Sequence, residues 1–214
     1  MRIVIEEEKK GEIRRIQERF LNRLSQKEIE KGTAAAINQV TGRTVTRLNK
    51  VIKKEYNIDG KYLKRIAVIN KAKAGTLFSE IWLRTAPVPF IGFKPKTRKS
   101  SISITIKKGK TEVFRHAFVA TMKNPSKELG KISEHKGIWF KGVRGGEGKS
   151  IPTKNYSSKE KRYKYKITEY KTASPWSMSL YRPVAMEIQS YMGTEVLKRV
   201  EGILQGKVDK IIGR

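Results

Sequence analysis

The sequence predicts an α+β fold, with N-terminal helices, a central antiparallel sheet with long basic loops, and a long C-terminal helix. Apolar residues recur at spacings of three and four near both ends of the 214-residue chain, which is the period of an amphipathic helix. Short apolar runs bounded by Gly and Pro fill the middle and are typical of strands. We therefore divide the chain into an N-terminal helical segment (1–57), a basic β-rich domain (58–181) and a C-terminal amphipathic helix (182–214).

Two helices are predicted in the N-terminal segment. The first covers 12–24, because four apolar residues share one face there: Ile13, Ile16, Phe20 and Leu24. Ser25 and Glu28 have the spacing of a capping box, which starts a second helix directly after Ser25. We expect this helix to run to Tyr56, because the Asn-Ile-Asp-Gly sequence at 57–60 ends it.

The second helix carries a row of cations along one face. Their spacing is four, three and four residues, and they are Arg43, Arg47, Lys50 and Lys54. Two interpretations stay open. The row is either a solvated surface or a ridge that contacts phosphate groups or an acidic partner.

The middle of the chain predicts an antiparallel sheet. The predicted strands are 66–69, 76–83, 117–122 and 137–143, with a hairpin over 101–115. In the hairpin, Ile102, Ile104 and Ile106 alternate with Ser and Thr, so one face is expected to be buried. Asn124 and Pro125 are expected to end the strand that precedes them.

The basic, tyrosine-rich segment 153–171 is predicted to be either an extended hairpin arm that projects from this domain or a locally disordered loop. Its candidate contacts to phosphate or to an acidic partner are Lys159, Lys161, Lys164 and Lys166. Its candidate subunit contacts, together with one Trp beyond it, are Tyr156, Tyr163, Tyr165 and Trp176. Alternating Tyr and Lys suits either a base-stacking strip or an arm that buries tyrosines against a neighbour.

The C-terminal helix starts near Pro183, a residue that fits the first helical turn. From there an apolar stripe runs at helical spacing from Ile188 to Ile211. A helix of about 30 residues is much longer than the average. We therefore expect it to pack across the sheet or against a neighbouring subunit.

Positive charge dominates the middle of the chain. The whole sequence has 48 Lys and Arg against 20 Asp and Glu, a formal charge of +28. Residues 58–181 hold 28 of these basic residues and 8 of the acidic ones, so +20 of the charge lies there. Such a region attracts nucleic acid or an acidic protein surface, and composition leaves both open.

The residues that catalysis requires are sparse, so we expect no enzyme, no metal and no cofactor. The chain has no Cys and two His, and neither His has a Ser and an Asp arranged as in a nucleophilic triad. The Gly-rich loop 145–150 lacks the glycine spacing of a phosphate loop. The short N-terminal apolar run and the absence of a long one predict a protein made and used in a cytoplasm, without a membrane partner.

The order of motifs in the second half resembles the minor tail protein Z family, the tail-completion proteins of long-tailed bacteriophages. An Ala-Phe strand at 117–123 leads to a second strand at 135–142, an Ile-Pro step at 151–152, an Ala-Ser-Pro turn at 173–175 and the terminal helix. The Ala-rich segment 34–40 is also similar to the family. The arm is longer than in the family, and Ala-Ser-Pro replaces its common Gly-Pro-Ser.

The resemblance implies a structural virion protein at the neck or tail top, assembled in the host cytoplasm, with no catalytic residues. Implied partners are the tail terminator and the head connector or stopper, in a ring of identical subunits. The positive charge of the middle makes non-specific DNA contact a further candidate, and the sequence leaves it open. The alternative is a general nucleic-acid-binding protein of ribosomal or nucleoid type, which fits the charge but not the proline-bounded sheet and terminal amphipathic helix.

Overall fold

The computed structural model confirms the α+β architecture. It describes residues 2–4, 10–64, 66–99, 101–125, 132–141, 156–157, 162–163 and 167–213. The helices are α1 (Lys10–Phe20), α2 (Gln26–Glu55), α3 (Pro175–Ser179) and α4 (Arg182–Ile212). The strands are β1 (Arg2–Val4), β2 (Ala67–Asn70), β3 (Glu80–Leu83), β4 (Lys96–Thr97), β5 (Ser101–Thr105), β6 (Thr111–Arg115), β7 (Ala117–Pro125), β8 (Ile132–Lys141), β9 (Tyr156–Ser157), β10 (Arg162–Tyr163) and β11 (Ile167–Glu169).

The chain folds as two compact units. The helical unit comprises Met1–Ile52, Lys64–Thr85 and Pro175–Arg214, and the β-rich unit comprises Lys53–Leu63 and Ala86–Ser174. The three segments that the sequence suggests as domains stay a prediction. In the described parts of the chain, no helix combines the length and apolar character needed to cross a membrane.

The core of the helical unit is a three-helix cluster. Its fully or nearly buried members on α1 and α2, and on the turn between them, are Ile16, Phe20, Leu24, Ile29, Ala36 and Val40. Those on α4 are Val196, Val200, Leu204 and Val208. The sequence left the packing partner of the α4 stripe open between the sheet and a neighbouring subunit. Within the chain, the part of this stripe from Val196 to Val208 packs on α1 and α2, because all three helices present apolar faces of matching period. Ile211, at the end of the predicted stripe, is instead 61% exposed.

Gly32 sets how closely α2 and α4 approach each other. A Cβ at this position would lie 2.7 Å from Cδ2 of Leu204, which is itself completely buried. Arg19 and Glu201 add a surface ion pair between α1 and α4, at 2.8 Å. The absence of a side chain at residue 32 therefore lets Leu204 pack onto the backbone of α2.

Ser25 and Glu28 cap the start of α2, as the sequence predicts. The Ser25 backbone N–H donates to Glu28 Oε2 at 3.0 Å, and the Ser25 hydroxyl donates to the same oxygen at 2.6 Å. These hydrogen bonds hold the pKa of the Glu28 carboxyl below its ordinary value. The cap satisfies a backbone donor that the helix itself leaves unpaired.

A short sheet completes the helical unit, with β3 between β1 and β2 and all pairs antiparallel. The predicted strand 76–83 is wrong in its first half. Thr76 and Lys73 exchange backbone hydrogen bonds at 3.0 and 3.1 Å around Gly75, whose φ is +83°. This tight turn takes the place of a strand. The loop is held to α2 by Asn38, whose amide makes two hydrogen bonds to the backbone of Ala72, at 2.9 and 2.7 Å.

Two three-stranded antiparallel sheets form the β-rich unit, in the orders β4-β5-β6 and β11-β8-β7. The predicted hairpin is confirmed, with Ile102 and Ile104 buried on one face and Gly109 in its turn. The 3₁₀ turn Phe90–Phe93 contacts both sheets. An aromatic cluster lies at its start, with ring centroids 4.4 to 5.3 Å apart: Phe90, Phe114, Phe140 and Tyr170. Stacking adds to the apolar burial of this unit.

The hairpin of β7 and β8 is longer than the sequence predicts. Asn124 and Pro125 do not end β7 early, since Pro125 still pairs with Ile132. A proline is tolerated at the last position of a strand, because the ladder needs no further N–H donor there. Consequently β8 begins at Ile132, before the strand that the sequence predicts from 137, and His135 lies within it. The Gly-rich loop at 145–150 lies outside the described residues.

We predict that Gly32→Leu lowers the free energy of unfolding by about 1–3 kcal/mol, because the new side chain must displace buried Leu204. The matched control is Gly42→Leu on the same helix, where a Cβ meets nothing within 4 Å. The control should be neutral or stabilising by up to about 1 kcal/mol, because Leu favours helix more than Gly does. Urea unfolding followed by circular dichroism measures both. Equal effects at the two glycines would contradict the close contact.

Thr44→Val should raise the free energy of unfolding by about 1 kcal/mol, because it replaces an unsatisfied buried hydroxyl by a methyl group of similar shape. Thr44 is completely buried, and its Oγ1 has no hydrogen-bond partner among the described residues. Thr41→Val is the control, since equally buried Thr41 donates to the Ile37 carbonyl at 2.8 Å. A larger gain at Thr41 than at Thr44 would show that the hydrogen-bond assignment is wrong.

Candidate functional site

The cation row on α2 lies at the surface, but its members differ in what they contact. Arg43, Arg47 and Lys50 are exposed residues of the helical unit, whereas exposed Lys54 belongs to the β-rich unit. The Arg47 guanidinium donates to Glu187 Oε1 through Nη2 at 2.7 Å and Nε at 3.1 Å. Arg47 is therefore already neutralised by α4, and Arg43 and Lys50 form no ion pair within the described part of the chain.

The Arg47 contact is also geometrically specific. Its guanidinium carbon lies 5.7 Å from the centre of the Tyr191 ring, one helical turn after Glu187. Both charged side chains are partly exposed, so the pair contributes only about 0.2–1 kcal/mol to stability. Its main effect is to fix the direction of the Arg47 side chain. Within the described part of the helical unit, Arg43 and Lys50 are the members of the cation row that are exposed and form no ion pair.

The arm contains a short antiparallel ladder. Tyr163 pairs with Tyr156, and Arg162 pairs with Ser157, as β10 and β9. This ladder agrees with the hairpin alternative for the segment. The other candidate residues of the arm lie outside the described residues: Lys159, Lys161, Tyr165, Lys164 and Lys166.

The C-terminal side of the arm is anchored in the β-rich unit. Ile167 to Glu169 form β11, in which Glu169 pairs with Trp139 of β8. The next residue, Tyr170, donates its backbone N–H to the Ile138 carbonyl at 2.9 Å and joins the aromatic cluster.

Trp176, the remaining predicted subunit contact, lies on α3 and is half-buried. Its backbone N–H donates to the Arg84 carbonyl at 3.3 Å, and its own carbonyl accepts from the Ser179 hydroxyl at 2.7 Å. These bonds fix α3 in the helical unit and leave part of the indole at the surface. It stays a candidate contact.

Sequence reasoning missed an ion cluster in the β-rich unit. The Glu169 carboxylate, whose side chain is 8% exposed, contacts His135 Nε2 at 2.5 Å and Lys171 Nζ at 3.4 Å. Gly137 makes room for it, since a Cβ there would lie 2.7 Å from Glu169 Oε1. The contact joins β11 to β8 and compensates a nearly buried charge. Residues 135, 137 and 139 are spaced by two, so they share one face of a strand. This spacing was the signal in the sequence that could have placed His135 next to Gly137 and Trp139.

Sequence reasoning also missed a polar hollow, which we name the β4–β6 concavity. It measures 260 Å³ and is rimmed by Lys94, Lys96 and Arg98. No three His, Asp or Glu side chains among the described residues come together as metal ligands.

Comparison with known proteins identifies the family. No curated protein and no solved structure matches the chain. A family model described as prophage minor tail protein Z (GPZ) matches residues 14–210 of the 214, which covers the cation row, both sheets of the β-rich unit, the arm and most of α4. This match confirms the resemblance found in the sequence. The chain therefore belongs to the prophage minor tail protein Z family and is a structural component of the phage tail.

Proposed function

We propose that the chain is the tail-completion subunit at the head-proximal end of the tail, where it helps to join the tail to the head. The observation that carries this proposal is the family match over 14–210, because it makes the chain a minor structural tail protein. The charge distribution supports the position. Genomic DNA passes through the head–tail junction, and +20 of the +28 lies in residues 58–181. The proposed role needs no catalysis and no cofactor.

The proposed partners are copies of the chain, the tail terminator and the head connector or stopper. A ring with cyclic symmetry requires two different, complementary patches on each subunit. The part of the α4 stripe from Val196 to Val208 is not available for this purpose, because it is buried against α1 and α2. We therefore assign the subunit contact to the arm, through Tyr156, Tyr163 and Tyr165, and to the exposed part of Trp176.

The exposed cations are proposed to contact phosphate groups or acidic partner surfaces. On α2 this role falls to Arg43 and Lys50, because Arg47 is paired with Glu187. Exposed Lys54 is a further candidate on the same helix. In the arm the candidates are Lys159, Lys161, Lys164 and Lys166.

A general nucleic-acid-binding protein of ribosomal or nucleoid type is the alternative, and the observation that favours it is the charge alone. The two functions differ in where the protein accumulates. A tail subunit is enriched in purified particles, whereas a nucleoid or ribosomal protein sediments with DNA or ribosomes in cells that make no particles.

We predict that phage made without this chain yields filled heads and separate tails, because the junction lacks one of its subunits. Electron microscopy of lysates, with counts of free heads, free tails and joined particles, measures the effect. Supplying the chain from a plasmid should restore joined particles. Joined, infectious particles at the normal yield in its absence would contradict the proposal.

Deleting residues 154–165 should leave a folded, soluble subunit that no longer enters tails, because the arm supplies the subunit contact. The deletion spares β11, which pairs with β8 and is part of the sheet. The thermal unfolding midpoint should stay near that of the full chain, and the amount of the chain in purified tails should fall to background.

A matched variant shows whether incorporation depends on the arm itself or on the positive charge of its lysines. Changing Lys159, Lys161, Lys164 and Lys166 to Gln keeps the arm but removes its cations. If this variant enters tails and the deletion variant does not, the subunit contact is made by the arm itself and not by its charge. Normal incorporation of the deletion variant would remove the arm from the assembly interface.

A further inference from the structure

The β4–β6 concavity lies on the solvent face of a sheet whose other face is buried. Strand alternation puts Ile102 and Ile104 on the buried side and leaves Ser103 and Thr105 on the open side. Cross-strand pairing brings Lys96 beside Ser103, and Thr111 beside Thr105. The hollow is therefore built from three strands of one sheet within the β-rich unit.

Among the residues that the structure describes, the cations that rim the concavity have no acidic counterpart. Lys94, Lys96 and Arg98 are all exposed, and no described carboxylate lines the hollow or forms an ion pair with them. The acidic residue on the same sheet, Glu112, pairs with Ile104 and so projects from the opposite face. Three positive charges thus converge on one small volume without internal compensation.

Hydroxyl groups lie between these cations. Ser103, Thr105 and Thr111 line the hollow, and the last two hydroxyls are 2.7 Å apart. Val113, which is 61% exposed, adds an apolar patch at the same place. Cations, hydroxyl donors and a small apolar contact together match a phosphate group and its attached sugar.

The backbone at Lys94 adds an independent observation. This residue follows the turn Phe90–Phe93 with φ +50°, the left-handed region that favours glycine. A lysine held in such a conformation carries a backbone strain that glycine would avoid. The strained cation is one of the three that rim the concavity.

We propose that the β4–β6 concavity is a binding site for the phosphodiester backbone of DNA, with Lys94, Lys96 and Arg98 as its cationic contacts. The hydroxyls and exposed Val113 favour a sugar-phosphate chain over the carboxylates of an acidic protein. We expect binding to be independent of base sequence, because contacts to phosphate groups carry no sequence information. The site goes beyond the proposed role in tail completion and is tested on the purified chain alone.

The test measures binding of the full chain to a fluorescent DNA duplex of about 30 base pairs, by anisotropy between about 50 and 200 mM salt. The site variant changes Lys94, Lys96 and Arg98 to Gln. The control variant changes Lys71, Lys73 and Arg23 to Gln, which removes the same charge from exposed positions of the helical unit. All six positions are exposed, so unfolding midpoints should match that of the unchanged chain.

We expect the site variant to bind DNA at least about tenfold more weakly, with a slope of log K against log salt that is shallower by about 2–3. The control variant should lose less than about threefold, since it removes charge but no contact. Lys94→Gly should weaken binding without lowering the unfolding midpoint, because it relieves the strained φ. Equal losses in the two triple variants would overturn the site, since net charge alone would then explain binding.

A second titration, with poly-L-glutamate in place of DNA, tests whether the concavity binds the carboxylates of an acidic protein instead. The proposal is supported if the unchanged chain binds DNA more tightly than poly-L-glutamate and the site variant loses this preference. Loss of poly-L-glutamate binding with unchanged DNA binding would overturn it and assign the concavity to an acidic protein surface. None of these outcomes depends on where in the particle the chain is found.

Discussion

The packing of α4 against α1 and α2 is the contact on which the described architecture depends. It joins the beginning of the chain to its end, and it is close because Gly32 leaves room for Leu204. Burying each large apolar side chain of the α4 stripe contributes about 1.5–3 kcal/mol, which is enough to hold a helix that the rest of the chain separates from its partners. Since Val196 to Val208 are used internally, the apolar side chains that the described residues leave exposed are scattered ones such as Val68, Met186 and Ile211.

Sequence predicted the elements whose signals are local. Periodicity found α1, α2 and α4, and the Ser25–Glu28 cap fixed the start of α2 to the residue, because capping depends on neighbours along the chain. Alternation of Ile102 and Ile104 with polar residues predicted the buried face of the hairpin. The family resemblance also came from the order of such local motifs, and the family match over 14–210 confirms it.

Sequence did not predict features that depend on partners distant along the chain. Thr76 reads as a strand residue, but its bonds with Lys73 form a turn. Arg47 reads as one of four equivalent cations, yet Glu187 on α4 neutralises it. His135 precedes the predicted strand 137–143, and its partner, Glu169, is recognisable only once β8 and β11 are paired. The three cations of the β4–β6 concavity likewise become a site only when strand pairing adds the hydroxyls.

The central claim, that the chain is a tail subunit at the junction with the head, is tested most directly by locating it in the intact particle. An epitope tag after α4, detected with gold-labelled antibody or as added density in electron cryomicroscopy, reports its position. The account predicts label at the head-proximal end of the tail, in a ring around the tail axis. Label at the distal tip, label along the whole tube, or particles that contain no chain at all would contradict it.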